Sequence, residues 1–575
     1  MLPSLDSKMD VITSLEDSIP ASILQPFFSA TNSSTLNKSL ENLIESAKTT
    51  DGRSNLASKN ILPTALQLCK LLSYPSSSDT LLLSLKLIRN LCAGESRNQN
   101  SFIQENGVDV VSNIIISKDF ISDSNYDIGI VIIRMGLQVL ANVSLAGKEQ
   151  QVVIWNCVCS LEFVEIAKVR RKDTCDPLCM IIYACIEENQ ELVDKLCSDH
   201  GLTLLVEIIQ TASEVGFGED WLKLILSRTC IEESYFTPIF SKLSNTPTNH
   251  TFPKEHTFTK DQSFLLSILS QMINEQIEHI KVSKFFPSDV FKILKSSLHV
   301  LNHISPPKSP LPTDSNNINT LGYSLCILRD ICAFDPLKKD SSIDMVDQLL
   351  SLGLIETFLD LLRDLEPPLI IRKSIKDDVN QDTGDKLFCP YKGFRSDVVA
   401  VIGNCAYKRR RVQDLVREKD GILLMLQCCV TDDENMFLRE WGVWGMRNLL
   451  EGNVENQRVV SELEMQGSVN NLPELASIGL RVDVDQVTRL IQNPTRCTHN
   501  KRFMIRNMFS NAHVQFVASM KEDTNNKNFP SLVNGRLIMA WYSESEPKKK
   551  LKRKSNRKTN IDKQTRINQR GLCNH

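Results

Sequence analysis

Four asparagines are the residues best placed to do chemistry in this chain. Asn90, Asn142, Asn404 and Asn448 close apolar runs, and each is followed nine residues later by a glutamine: Gln99, Gln151, Gln413 and Gln457. A primary amide carries two N–H donors and a carbonyl acceptor, the same pair that a peptide group presents. Such a set can recognise backbone, either the NH and C=O of an extended partner chain or the protein's own helix ends and turns. A fifth copy, Arg329-Asp330-Ile331-Cys332, has Asp in place of Asn and no Gln at the expected offset.

The other reactive residue types fail on spacing. Gly216-Phe217-Gly218 lacks the further glycine and the preceding strand of a dinucleotide loop, and no phosphate-binding G-x-x-x-x-G-K-[ST] occurs. His299 and His303 lie four apart with no Glu beside the first and no third ligand, which reads as a solvated helix face. Asp432 and Asp433 sit in a polar turn where capping of a helix before Met436 accounts for them. The close cysteine pairs, Cys157 with Cys159, Cys175 with Cys179 and Cys428 with Cys429, are not followed by a second pair at zinc-finger spacing. No catalytic residue, metal or cofactor is expected.

The elements that must position the asparagines follow from their spacing. Asn404 and Asn448 are 44 residues apart, inside the ~40 to 47 residue period of two- or three-helix repeats. One unit reads as a long helix ending near Asn, a short helix holding Gln, a turn at glycine (Gly107, Gly421) and a second helix. Units of this kind cannot bury their apolar faces alone and stack into a continuous core. A stack also explains 575 residues, since single cores stop growing near ~250 to 300. Hydrophobic content of 42% with only 6% aromatics suits helix layers. The expected fold is all-α, an armadillo/HEAT-like right-handed helical solenoid of roughly nine units with irregular loop insertions and a disordered basic C-terminal tail.

Along the chain the expected divisions are an N-terminal helical cap (1–60), armadillo-like repeats (61–235), a loop insertion (236–262) and a helical segment (263–303). There follow a loop (304–319), a helical segment with linker (320–387), a C-terminal domain (388–490) and a basic tail (491–575). The insertions contain NTPTNHTFPKEHTF, ISPPKSPLPTDSNNIN and EPPLIIRKSIKDDVNQDTGDK, rich in Pro, Ser, Asn and charge and without helical period.

Charge is divided unevenly. Residues 497–575 hold 17 Lys or Arg against 5 Asp or Glu, whereas residues 1–496 hold 49 against 64. The run Lys548 to Lys554 suits a nuclear import receptor or a solvated tail, and no aromatic falls within it for base stacking, so nucleic acid is not an expected partner. The first twenty residues carry three Asp and a Glu where a signal peptide needs basic and then apolar residues. Arg134, Gln138 and Asn142 interrupt the apolar stretch from Ile128 to Leu145, so no membrane span is expected. The seventeen cysteines read as buried free thiols in a reducing, cytosolic setting.

The phrases PYKGFRSDVVAVIGNCAY, QDLVRE, GILLMLQCC and FLREWGVWGMRNLLEGNVENQ, in that order, resemble the C-terminal domain of the ataxin-10 family, with wording closest to plant members. The likeness covers roughly residues 388 to 485, and weaker repeat-level likeness reaches back to about residue 60. It implies an armadillo-like scaffold without enzymatic activity that acts through other proteins, with family members linked to cytokinesis and cell survival; the partners expected of this chain are other proteins, a second copy of itself among the candidates. It carries over no functional residues.

In armadillo arrays the helix ending near the Asn lines a groove, which makes Asn90, Asn142, Asn404 and Asn448 candidate partner contacts. Trp444 lies four residues before Asn448, on the same helix face, a spacing shared with the import receptor importin alpha. The equivalents Lys86, Gln138 and Ala400 offer no aromatic wall, so Trp444 reads first as a packing residue and import reception as the rival function. Lys408, Arg409, Arg410 and Arg411 form either a basic ridge for an acidic partner or a solvated one. Removing residues 497–575 should leave the melting temperature nearly unchanged, because a tail without apolar periodicity contributes little burial; a large drop in a thermal melt would contradict this.

Overall fold

The computed structural model describes residues 33–72, 77–117, 126–244, 257–277, 279–303, 306, 309–333, 344–368, 370–371 and 386–462, with four short strands between 483 and 538. The first 32 residues, residues 245–256 and 372–385 of the first and third expected insertions, and the tail including Lys548 to Lys554 lie outside the described residues. Within 33–462 the described residues form an all-α solenoid. The strands are three residues each and pair as two antiparallel ladders, Asp483–Asp485 with Leu490–Gln492 and Ser531–Val533 with Arg536–Ile538.

Nine helices among the described residues form a row in which each packs on the next: Ser33–Ser46, Ser78–Leu91, Tyr126–Ser144, Lys172–Ile186, Asp220–Leu226, Lys260–Gln276, Asn316–Cys332, Phe394–Ala406 and Leu438–Leu450. A second row, including Ile61–Leu71, Gly107–Ile115, Asp199–Val215, Phe285–Ser297, Leu354–Asp364 and Gly421–Gln427, packs against the first. Buried Leu, Ile and Val from both rows make one continuous apolar core, as expected of units that cannot bury their own faces.

The turn between the short and second helices differs from the expected one. The left-handed residue is the one before the glycine: Asn106 at φ 55° and Asp420 at φ 53°, residue types that adopt this conformation at small cost. Gly107 and Gly421 are themselves helical, and their missing side chain has another use. A Cβ on Gly107 would lie 2.6 Å from the Phe102 ring, and one on Gly421 2.7 Å from Leu359 and 2.8 Å from Val416. These glycines let the second helix close on the short one.

Two expected loop boundaries also move. Phe236–Lys242 is helical and buries Phe236, Ile239 and Phe240, with Phe236 edge-on to Phe286 at 5.2 Å between ring centres. Asn316–Cys332 starts four residues inside the expected 304–319 loop, because the Ser315 side chain accepts from Ile318 N–H and caps the helix.

Tyr126–Ser144 contains the one described stretch long and apolar enough to cross a membrane, and 72% of that window is buried inside the array. All described cysteines are free and eleven of these fifteen are buried. Burial pushes the Cys69 thiol up to about 12 and Cys428 up to about 11, so both stay neutral near pH 7.

At the C-terminal end the row closes to backbone contact. A Cβ on Gly403 would lie 2.9 Å from the Gly445 Cα, and one on Gly445 would meet the Met425 methyl at 2.6 Å. Gly403→Ala should destabilise the protein by about 1–3 kcal/mol through overpacking, read as a lower urea midpoint; an unchanged midpoint would mean that the two helices separate freely.

Candidate functional site

The geometry at the repeat anchors is set by helix ends. The last carbonyls of an α-helix have no partner within the helix and, when buried, must find one elsewhere. All four glutamines meet this need in the same way. Gln99 Nε2 donates to the Cys92 carbonyl at 3.1 Å, Gln151 to Ser144 at 3.2 Å, Gln413 to Ala406 at 3.3 Å and Gln457 to Leu450 at 2.8 Å. The acceptor is always the second residue after the anchor Asn, which accounts for the fixed offset of nine. Asn98 and Asn456, one residue before their glutamines, do the same for Leu91 and Leu449 at 2.8 and 2.9 Å. Sequence reading missed these two, although their shared offset of eight from the anchor was visible.

The asparagines tie neighbouring repeats together. Asn142 Nδ2 donates to the Arg89 carbonyl at 2.9 Å, while Gln99 of the earlier repeat donates to the Asn142 carbonyl at 2.9 Å. The same reciprocal pair recurs at the other end, with Asn448 to Gly403 O at 2.9 Å and Gln413 to Asn448 O at 2.8 Å. Asn404 donates to Arg329 O at 3.1 Å, and Asn90 reaches Ile44 O at 3.5 Å. Lys172–Ile186 contains no Asn, and the Gln151 side chain bonds Ser144 without reaching across that interface; Cys185 Sγ donates to the Gln151 carbonyl at 3.7 Å, and Arg134 with Asp173 at 3.9 Å and Arg171 with Asp127 at 3.6 Å cross it.

The divergent fifth copy works with donor and acceptor exchanged. Asp330 has no amide hydrogen to give, so Asn274 Nδ2 of the preceding row helix donates to Asp330 Oδ2 at 3.0 Å. Arg329 balances the charge, with Nε 2.8 Å from Asp330 Oδ1 and Nη1 2.7 Å from Asp397 Oδ1. The Tyr391 hydroxyl donates to Asp397 Oδ2 at 2.8 Å. Burial holds the Asp397 carboxyl above its ordinary range despite the facing Arg329.

These bonds correct the expected roles of the anchors. Asn142, Asn404 and Asn448 are buried, and their amide hydrogens serve the array's own backbone, so they do not offer a partner the expected contact. Asn90 is half-buried and its Oδ1 accepts from Arg89 at 2.9 and 3.1 Å. Trp444 is only 8% exposed and lies under the Arg447 guanidinium, 5.0 Å from the ring centre. It packs, and it does not wall a groove of the import-receptor kind.

Two arginines of the basic ridge make cross-ties within the array. Arg409 pairs with Asp344 at 2.5 and 3.1 Å, and Arg410 pairs with Asp414 at 3.0 Å and with Glu455. Exposed Arg411 lies 3.8 Å from Asp347. Lys408 takes a left-handed conformation with its ammonium 5.1 Å from the Tyr407 ring centre. Asp432 organises its turn, accepting from Glu434 N–H at 3.0 Å and Asn435 Nδ2 at 3.1 Å, rather than capping the next helix. Among the described residues no group of three His, Cys, Asp or Glu is placed to hold a metal.

A surface that sequence reading missed lies in the middle of the row. Half-buried Tyr183 and Trp221 meet with their rings tilted by 41° and their centres 5.9 Å apart. Arg228 is beside them on a π-helical turn, Ser227–Glu232, bonded to Glu233 Oε1 and Gln190 Oε1 at 2.8 Å each. π-turns carry strain and recur at functional sites. The two rings are 38 residues apart in the chain and belong to no repeated phrase, so nothing in the sequence joins them.

The chain is similar to several known proteins. The family described as "Spinocerebellar ataxia type 10 protein domain" matches residues 394–492. Ataxin-10 of Xenopus tropicalis is 24% identical over 405 residues, 69% of this chain and 77% of that protein. Ataxin-10 of Homo sapiens is 25% identical over 441 residues, 74% and 85% of the two chains. The Ataxin-10 homolog of Dictyostelium discoideum is 42% identical over 95 residues, 16% and 15%. Among solved structures, a designed armadillo repeat protein aligns with a TM-score of 0.29 at 15% identity, over 43% of this chain and 97% of its own.

Asn448→Ala should cost about 1–3 kcal/mol by leaving the buried Gly403 carbonyl unpaired. Gln413→Ala should cost a similar amount, and the double variant less than the two together, because both act on one interface. Trp444→Ala should cost about 3–5 kcal/mol as a core truncation. Urea unfolding reads all four; an Asn448→Ala protein of wild-type stability would return that amide to a partner role.

Proposed function

The chain belongs to the ataxin-10 family, and from that premise we propose that it is a non-enzymatic scaffold that binds other proteins, copies of itself included, in cytokinesis or cell-survival signalling. The observation that carries the reading is the use made of the polar groups. The anchors best suited to chemistry satisfy the array's own helix ends, and the buried ion-paired cluster at Arg329 is enclosed by Asp330, Asp397 and Tyr391. What remains outward is contact surface, and the Tyr183–Trp221 pair with Arg228 combines the residue types that dominate binding hot spots. The proposed compartment is the cytosol, with nuclear entry through Lys548 to Lys554.

The test is affinity purification of the wild-type chain beside a Tyr183→Ala/Trp221→Ala variant whose circular dichroism and melting profile show it folded. Partners should be lost in the variant with dissociation at least tenfold faster, since interface changes act mainly on off-rates. An unchanged partner set would move the contact face elsewhere, and hydrolysis of a nucleotide by the purified chain would overturn the scaffold reading.

A further inference from the structure

Two arginines are buried in the described array, and they are treated differently. Arg329 sits between two carboxylates. Arg395 is 4% exposed and, among the described residues, forms no ion pair. One of its terminal nitrogens donates to the Glu366 carbonyl, and its Nε is buried without a partner. The backbone beneath it is fixed, because Arg395 N–H donates to Asn435 Oδ1 at 2.9 Å. Burying a charge without a counter-charge is costly, so buried guanidinium groups are found paired.

Arg395 lines a cavity of about 310 Å³ between Leu354–Asp364, the Pro367-Pro368 turn and Gly421–Gln427. Arg363 and Lys386 add two more cations to the lining, and Pro367, Pro368 and Leu424 add apolar surface. Cys428, also lining the cavity, is a hydrogen-bond neighbour of the Arg395 side chain but supplies no negative charge, since burial keeps its thiol neutral. The Arg363 side chain is turned to Asp360 and to the Lys419 carbonyl, and Lys386 Nζ to the Arg363 carbonyl at 2.9 Å. These cations therefore set a positive field without closing on Arg395.

We propose that this cavity binds a small ligand that carries an oxyanion, a carboxylate or a phosphate, on a compact apolar body. The planar guanidinium of Arg395 receives the oxyanion, since its fork matches two oxygens at once. The proline and leucine wall takes the apolar part, and the volume falls within the range of small-molecule pockets.

The test uses the full chain with sodium benzoate and phenyl phosphate as probes, against benzyl alcohol and sodium chloride at matched ionic strength. One or both anions should raise the melting temperature saturably and give a calorimetric binding isotherm; which of the two binds more tightly names the oxyanion. Arg395→Met should weaken binding at least tenfold. If that variant fails to fold, Leu424→Trp, which fills the cavity and leaves Arg395 in place, should abolish the shift. Equal shifts with chloride or benzyl alcohol, no binding by either anion, or unchanged binding in Leu424→Trp would overturn the proposal.

Discussion

The array depends on the carbonyl oxygens that a helix leaves unpaired where it ends. In an isolated helix water would take them. Here the ends of the row helices are packed under the next repeat, and water is replaced by amides: a glutamine from the following short helix and an asparagine from the following long one. The asparagine reaches back to the carbonyl before its predecessor, and the glutamine reaches forward to the carbonyl of its successor. Apolar burial supplies the drive to stack but is non-directional. The paired amides determine at which residue one helix end meets the next.

Much of this was legible in the residues. The recurrence of Asn and Gln at an offset of nine, and of whole phrases at 44 residues, marked the unit, its helices and its stacking. What could not be read was the direction of the amides, because a side chain that binds an extended peptide and one that binds a helix end have the same chemistry and differ only in burial. Gly107 and Gly421 were read as turn residues on propensity, whereas contact with Phe102, Leu359 and Val416 determines them. The Lys408 to Arg411 run read as free charge since its partners, Asp344 and Glu455, come from helices that only the fold brings near. Phe236–Lys242 was hidden by a proline and polar neighbours, and tertiary burial of its two phenylalanines overrides local propensity.

The divergent copy at Asp330 shows how tolerant the arrangement is. Asp cannot donate, and a lone carboxylate in this place would be a buried charge. Exchange of donor and acceptor with Asn274, together with Arg329, Asp397 and Tyr391, pairs the carboxylate at the cost of an ionic cluster in the core. What looked like decay of a repeat is a second solution to the same demand.

The missing asparagine in Lys172–Ile186 has a mechanical meaning. Clasped interfaces resist sliding, since their hydrogen bonds are lost within a fraction of an ångström, whereas side chains in apolar contact shear past one another with little change in buried area. The interface between Tyr126–Ser144 and Lys172–Ile186 lacks the paired amides and is tied by charge at its rim, Arg134 to Asp173 at 3.9 Å and Arg171 to Asp127 at 3.6 Å. The Tyr183–Trp221 face stands just beyond that interface, so the aromatic pair borders a junction whose strength depends on salt, unlike the amide-clasped ones.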